Sequence, residues 1–194
     1  MRFLICVLVF CAASGAVSAQ AEPANPELAA ELVVIHSLDQ DGRMEWMRIR
    51  KEHDGRVPHA VHEEFWSVQN KLDEANTARI AAIIAEHGWP GRSMVGEDGA
   101  RTVFLVVQHA PLERQEEYLP LLEAAVASGE AEAWQLAMLT DRVLVRNDLP
   151  QRYGSQYRND PETGERVYLP MEDPDGLDAR RAAIGLPPLD DDSH

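Results

Sequence analysis

Cysteine is nearly absent: Cys6 and Cys11 are the two in a chain of 194 residues, and both lie in its first apolar run. A disulfide scaffold, a cysteine nucleophile and a cysteine metal cluster are therefore excluded for everything downstream. Basic charge is scarce as well, with 18 Lys plus Arg against 33 Asp plus Glu and a formal net charge of −15. Such a surface repels phosphate backbones and anionic headgroups, so a nucleic-acid binder and a polybasic membrane binder drop out, while cationic and neutral partners stay open. The longest apolar run, Phe3 to Ala13, is too short to span a bilayer. What remains, with 45% hydrophobic and 26% charged residues, is the make-up of one ordinary domain able to bury a sizeable core.

The first residues predict a destination. Met1-Arg2 is a short positive start, Phe3 to Ala13 an apolar stretch, and Val17-Ser18-Ala19 a small-residue cleavage pattern, so residues 1–19 read as a secretory signal peptide. The mature chain then begins at Gln20, or at Glu22 if Ala19-Gln20-Ala21 is the pattern cut, with no cysteine and no stable membrane anchor. Bulky Phe10 before Cys11 argues against a lipoprotein anchor there. The expected location is periplasmic or secreted.

Residues 20–26 read as a disordered lead, residues 27–189 as a single helical domain and residues 190–194 as an acidic tail. Asn25-Pro26-Glu27 is a helix start, with Asn as cap and Pro at the first position. From there Leu28, Leu32, Ile35, Asp39, Arg43 and Trp46 follow helical spacing until His53-Asp54-Gly55 signals a turn. A second helical region runs from His59 to His87 with Val61, Phe65, Val68, Leu72, Asn76, Ile80 and Ile83 on one face, as one helix or as two if Asp73 or Asn76 caps a new start. Gly88 and Pro90 end it. Val103 to Val107 is apolar on every side and so predicts burial, with helix and strand both open. Leu112 to Ser128 and Glu130 to Arg146 read as two further helices. Tyr153 to Arg158 and Arg166 to Leu169 flank a turn-rich string and predict a small β-hairpin, and Asp175 or Asp178 starts a last short helix ending at Gly185. The fold class is thus mainly α, with a small hairpin near the C-terminus.

Several motifs fail on inspection. His62-Glu63 opens like a zinc-protease helix, but Trp66 stands where the second His is needed. Ser37, Asp39, Asp41 and Gly42 imitate a calcium loop whose closing carboxylate is replaced by Arg48. Ser93 between Gly91 and Gly96 lacks the spacing of a nucleophile elbow. His59 and His62, one turn apart beside Glu63 and Glu64, read as an exposed pair.

The informative residues are polar ones on apolar stripes. Asp39, Asn76, Gln115 and Asp141 each occupy a position where helices place Leu or Ile, and His109 ends the most apolar run in the protein. Burying an unpaired carboxylate or amide costs several kcal/mol, so these residues should meet partners. Arg43 beside Asp39 and Arg142 beside Asp141 are the nearby counter-charges. The pattern predicts a partly buried polar cluster, which is either a structural network or a pocket with His109 as base or ligand.

Asp39-Gln40 with Arg43, Gly88-Trp89-Pro90, Val95-Gly96, Gln108-His109-Ala110, Leu119-Pro120-Leu121, Gly129-Glu130, Leu139 with Asp141-Arg142-Val143, Gln151 with Tyr153-Gly154-Ser155-Gln156, and Arg180-Arg181 with Gly185-Leu186 together carry a resemblance. From about Asp39 to Leu189 the chain resembles an uncharacterised bacterial family, the domain of unknown function 6624. The resemblance implies no established activity. It implies that Asp39, His109, Gln115 and Asp141 stand on motif positions, with Ser155 where the family usually has Thr and Asp190 where it often has an aromatic residue.

Two classes of function follow as expectations. In the first the protein is a hydrolase using activated water: His109 is the base, Asp141 or Asp39 orients it, and Arg43 or Arg142 stabilises charge. Gln108, Gln115, Tyr153, Gln156 and Asn76 then contact the ligand, with Gln156 pointing towards His109 or Asp141. A metal variant would use Asp39, His109 and Asp141 as ligands; the sequence itself names no metal and no cofactor. In the second class the protein is a non-catalytic module binding a small molecule or an envelope protein, or the cluster is purely structural.

Overall fold

The computed structural model describes residues 22–160 and 163–189. The predicted signal peptide, residues 20 and 21 of the lead, the acidic tail, and Pro161-Glu162 in the hairpin turn lie outside the described residues. Helix α1 (Pro26–Glu52) starts on the predicted cap: Leu28 N–H donates to Asn25 Oδ1 at 3.0 Å. Within the lead expected to be disordered, Ala24 and Asn25 donate backbone N–H groups to Ser93 and Met94 at 3.1 and 2.8 Å, which ties this piece to the start of the third helix. Asp54 and Gly55 at positive φ end α1.

Helix α2 (His59–His87) is unbroken, so neither Asp73 nor Asn76 starts a new helix. Gly88, at φ 71°, then turns the chain through the left-handed region. Helix α3 (Arg92–His109) contains one bend, at Gly96 with φ 76°, a conformation that glycine adopts without strain. Its apolar run is helical. α3 touches α1, α2, α4 (Leu112–Ala127) and α5 (Ala133–Arg146), which enclose its stretch from Thr102 to Gln108, while Ser93, Glu97, Asp98 and Arg101 nearer its start face water. β-branched content is overridden by that tertiary setting. α5 begins three residues later than the expected Glu130, because Glu130 is used elsewhere: its backbone carbonyl accepts from Arg92 and its carboxylate from the Ser93 N–H (3.1 and 2.9 Å).

Strands β1 (Tyr157–Asn159) and β2 (Arg166–Tyr168) form the predicted antiparallel hairpin, pairing Tyr157 with Tyr168 and Asn159 with Arg166. A single 3-10 turn, Pro174–Gly176, leads into α6 (Leu177–Ala183).

Leu32, Ile80, Ile83, Phe104, Leu122 and Leu139 form the centre of the core, contributed by all five long helices and sealed from solvent. Each such side chain contributes about 1.5–3 kcal/mol through burial. The stripe assigned to α2 needs correction. Val68 is 58% exposed whereas Gln69 is 2% exposed, so the buried face there runs through Gln69 and Asn76. From Gly42 to Val68 no residue is buried, and the outer ends of α1 and α2 are held by aromatic contacts in which Trp46 stacks on Phe65 with ring centroids 5.0 Å apart. Among the described residues no helix is long and apolar enough to cross a membrane.

Candidate functional site

Asp39 closes the buried stripe of α1, one turn beyond Ile35, and His109 is the last residue of α3. Packing of α1 against α3 brings them together. His109 Nδ1 lies 3.0 Å from each oxygen of the Asp39 carboxylate. Gln40 Nε2 donates to Asp39 Oδ2 at 2.6 Å. Burial by itself raises the pKa of Asp39, but His109, Arg43 and Gln40 outweigh it and hold the group below its ordinary value. The imidazole is 21% exposed, whereas the carboxylate it faces is sealed.

The opposite ring nitrogen is occupied too. Arg43 Nε donates to His109 Nε2 at 3.2 Å. Because a guanidinium only donates, Nε2 is an acceptor and the proton sits on Nδ1, the tautomer that Asp39 also selects. Arg43 is fixed in turn by a fork to Asp73 on α2, Nη1 to Oδ1 at 3.1 Å and Nη2 to Oδ2 at 3.0 Å, and by Nη1 to the Asp39 carbonyl at 2.9 Å. Gln69 Nε2 donates to Asp73 Oδ1 at 2.8 Å. Gly42 allows this: a Cβ at that position would strike the Gln69 amide oxygen, so glycine lets Gln69 lie across α1.

A second group forms where α3, α4 and α5 meet. Gln108, with its side-chain oxygen turned towards α5, accepts from Arg142 Nε at 2.7 Å and Nη2 at 3.2 Å. The Gln108 carbonyl accepts from Gln115 Nε2 at 2.8 Å, and Gln115 Oε1 accepts from Arg146 Nη1 at 3.0 Å. Arg146 Nη1 also donates to the Ala110 carbonyl at 3.1 Å. Burial, followed by the charges of Arg146 and Arg43, lowers the pKa of Arg142 from its usual value.

Asp141 belongs to neither group. Arg152 N–H donates to its Oδ1 at 2.7 Å, Ser155 N–H to its Oδ2 at 2.9 Å, and Tyr153 N–H bridges both oxygens at 3.0 and 3.2 Å. The expected pairing with Arg142 is absent because these backbone donors take both carboxylate oxygens and Arg142 turns to Gln108. For the same reason Asp141 does not orient His109 and does not complete a metal set with Asp39. Among the described residues no three His, Cys, Asp or Glu side chains gather where a metal would fit.

The loop does fold over the end of α5, but through its backbone. Gln156 Nε2 donates to Ser155 Oγ at 3.1 Å and not to His109, Asp39, Asp141 or Arg142, so its expected direction is corrected. Tyr153 is likewise a buried structural residue whose carbonyl accepts from Arg181 Nη1 at 2.7 Å. Gly154 takes φ 75°, and a Cβ there would press on Leu189 and Leu177. Asn76 is buried one turn beyond Asp73, and its Nδ2 has no hydrogen-bond partner among the described residues.

An open cleft of about 540 Å³ lies between α2, the α3–α4 corner and the end of α5. His109, Asp73, Arg114 and Arg146 give it a polar end, while Thr77, Ala78 and Ala81 of α2 line its side. Four residues of this arrangement had no place in the sequence-based set: Asp73, Gln69, Arg146 and Gln151. Gln69 and Asp73 lie four apart on the inner face of α2, a spacing that a polar-inclusive stripe would have caught. Gln151 holds the loop through Nε2 to the carbonyls of Gln156 and Leu169 (2.8 and 2.9 Å), and stands beside the Tyr153-Gly154-Ser155-Gln156 string.

The fold and site define a helical protein with a buried aspartate–histidine pair on the wall of an open cleft. Residues 26–193 match the model of a family of unknown function, DUF6624, and the chain belongs to that family. No curated protein and no solved structure matches the chain.

Proposed function

We propose that the cleft is the active site of an exported hydrolase in which His109 activates water. The observation carrying this reading is the pair itself: a sealed carboxylate centred on His109 Nδ1, with the ring reaching the cleft wall. Asp39 fixes the tautomer that presents the Nε2 lone pair, and it stabilises the imidazolium formed when that nitrogen takes a proton from water. Arg43 covers Nε2 in the unliganded arrangement. Negative charge developing on a bound substrate draws the guanidinium off the ring and gives it the role of electrostatic stabiliser. Asp39 replaces Asp141 as the orienting group.

The test is turnover by the mature chain across ester, amide, glycosidic and phosphoester substrates. His109→Gln and Asp39→Asn are expected to lose about 100-fold or more of the rate. Wild-type protein inactive on all four classes, or variants as active as wild type, would overturn the reading. The contact of Arg43 with Nε2 favours a second one, a non-catalytic binding site in which His109, Arg43 and Asp73 are a fixed wall.

Export is part of the proposal. The family match begins at residue 26, beyond the predicted leader, and Asn25 caps the first helix immediately after it. Chain recovered from the cell envelope is expected to begin at Gln20 or Glu22; an intact Met1 on that material would refute export.

A further inference from the structure

Among the described residues at least seven arginines of this acidic protein face a carboxylate. Arg43 has Asp73, Arg79 has Glu31, Arg92 has Glu132 and Arg114 has Glu117. Arg142 and Arg146 do not: among the described residues neither has a carboxylate within ion-pair distance. Their partners are neutral oxygens, the side-chain amides of Gln108 and Gln115 and the carbonyl of Ala110. Both glutamines are buried, at 2% and 0% exposure, and Gln115 links the pair by donating to the Gln108 carbonyl. A neutral amide orients a guanidinium as a carboxylate does but leaves its charge uncancelled. The two arginines stand one helical turn apart on the same face of α5; Arg146 lines the cleft together with His109, while half-buried Arg142, held by Gln108, is not itself among the lining residues.

We propose that Arg142 and Arg146 form the subsite for a phosphoryl group, so that the ligand of this cleft is a phosphomonoester dianion. The assignment rests on reading the cleft as a ligand site. Two uncompensated guanidinium groups match the two charges of a phosphomonoester near neutral pH. Their N–H groups approach from successive turns of a helix, which suits the tetrahedrally disposed oxygens of a phosphoryl group, whereas a planar carboxylate is filled by a single fork. Mutual repulsion, already felt by Arg142 from Arg146 and Arg43, is relieved when the anion arrives. With the phosphoryl group against α5, the remainder of the ligand extends past His109 along Thr77 and Ala78 of α2.

The test is titration of the mature chain with inorganic phosphate at constant ionic strength, followed by calorimetry and by thermal unfolding. Phosphate is expected to bind and to raise Tm in a concentration-dependent way. Arg142→Met, Arg146→Met and Gln115→Glu are each expected to weaken binding about tenfold or more. Gln115→Glu is the sharpest variant, because it keeps both arginines and supplies Arg146 with an internal carboxylate; it also sets an oxygen against the Gln108 carbonyl in place of the amide N–H, so without phosphate it is expected to melt lower than wild type and its phosphate binding is measured below that Tm. Succinate, a dianion of two planar groups, is expected to bind at least about tenfold more weakly than phosphate. The proposal is overturned if phosphate acts no differently from sodium chloride, if the three variants bind it as wild type does, or if succinate equals it. His109→Gln separates the two readings. Phosphate binding kept with no turnover of any substrate would remove only the hydrolase reading, and turnover with no phosphate binding would remove only the phosphoryl subsite.

Discussion

Asp39 and Asp141 are the same residue, equally sealed from water and each placed on the inner stripe of a helix, yet their partners differ in kind. Asp39 is met by side chains: His109, Gln40 and, at 3.6 Å, Arg43. Asp141 is met by three backbone N–H groups from the loop that follows its own helix. A carboxylate filled by backbone donors fixes a chain path and has nothing to offer a ligand. One filled by a histidine whose far side reaches a cleft can pass its influence outward. Burial of an acid therefore identifies a demand for partners, and only the partners tell whether the demand is structural or chemical.

Removing Asp141 should break the comparison most severely. Asp141→Ala leaves three backbone donors without acceptors, and we expect a loss of about 3–5 kcal/mol in denaturant unfolding, with proteolysis concentrated between Asn147 and Gln156. Asp39→Asn keeps one acceptor oxygen and should cost about 1–3 kcal/mol. Its pH dependence sharpens the contrast. The folded-state pKa of Asp39 lies below the ordinary 3.8, so its ionised form contributes stability that is present above about that pH and is lost as pH falls through the lower folded value. The stability difference between wild type and Asp39→Asn should thus be constant near neutrality and shrink in acid below about pH 3.8; a difference that grows in acid would contradict the assignment. Ser155→Ala should have the smallest effect, within about 0.5 kcal/mol, because Asp141 uses the Ser155 N–H and not its hydroxyl. Ser155→Pro, which removes that N–H, should cost about 1–3 kcal/mol in the same assay.

Helix boundaries were legible because punctuation writes them: Asn25-Pro26, Gly88 with Pro90, Pro111 and Gly129 stand at or beside the observed ends. The buried polar residues were legible as exceptions on apolar stripes, and Asp39, Asn76, Gln115 and Asp141 are all buried. Which of them meet was not legible. Arg43 contacts Asp73 across 30 residues and His109 across 66, distances over which sequence periodicity carries no information. Charge is visible in a sequence and points Asp141 to Arg142, whereas the backbone donors that satisfy it belong to every residue and mark none. An apolar stripe selects Val68 over its neighbour Gln69, whereas the inner face of α2 is polar where it approaches Gly42.

Chain distance separates the two aspartates in time as well as in role. The donors that fill Asp141 lie 11 to 14 residues away, a closure short enough to form and re-form on the scale of about 10–100 ns once α5 exists. Asp39 and His109 are 70 residues apart and meet only after the α1–α2 hairpin has closed and α3 has docked against it. The loop on Asp141 can therefore breathe or assemble as a local event, while the pair at the cleft comes into being only with the packed body of the protein, so that any chain able to use His109 has already passed its own test of folding.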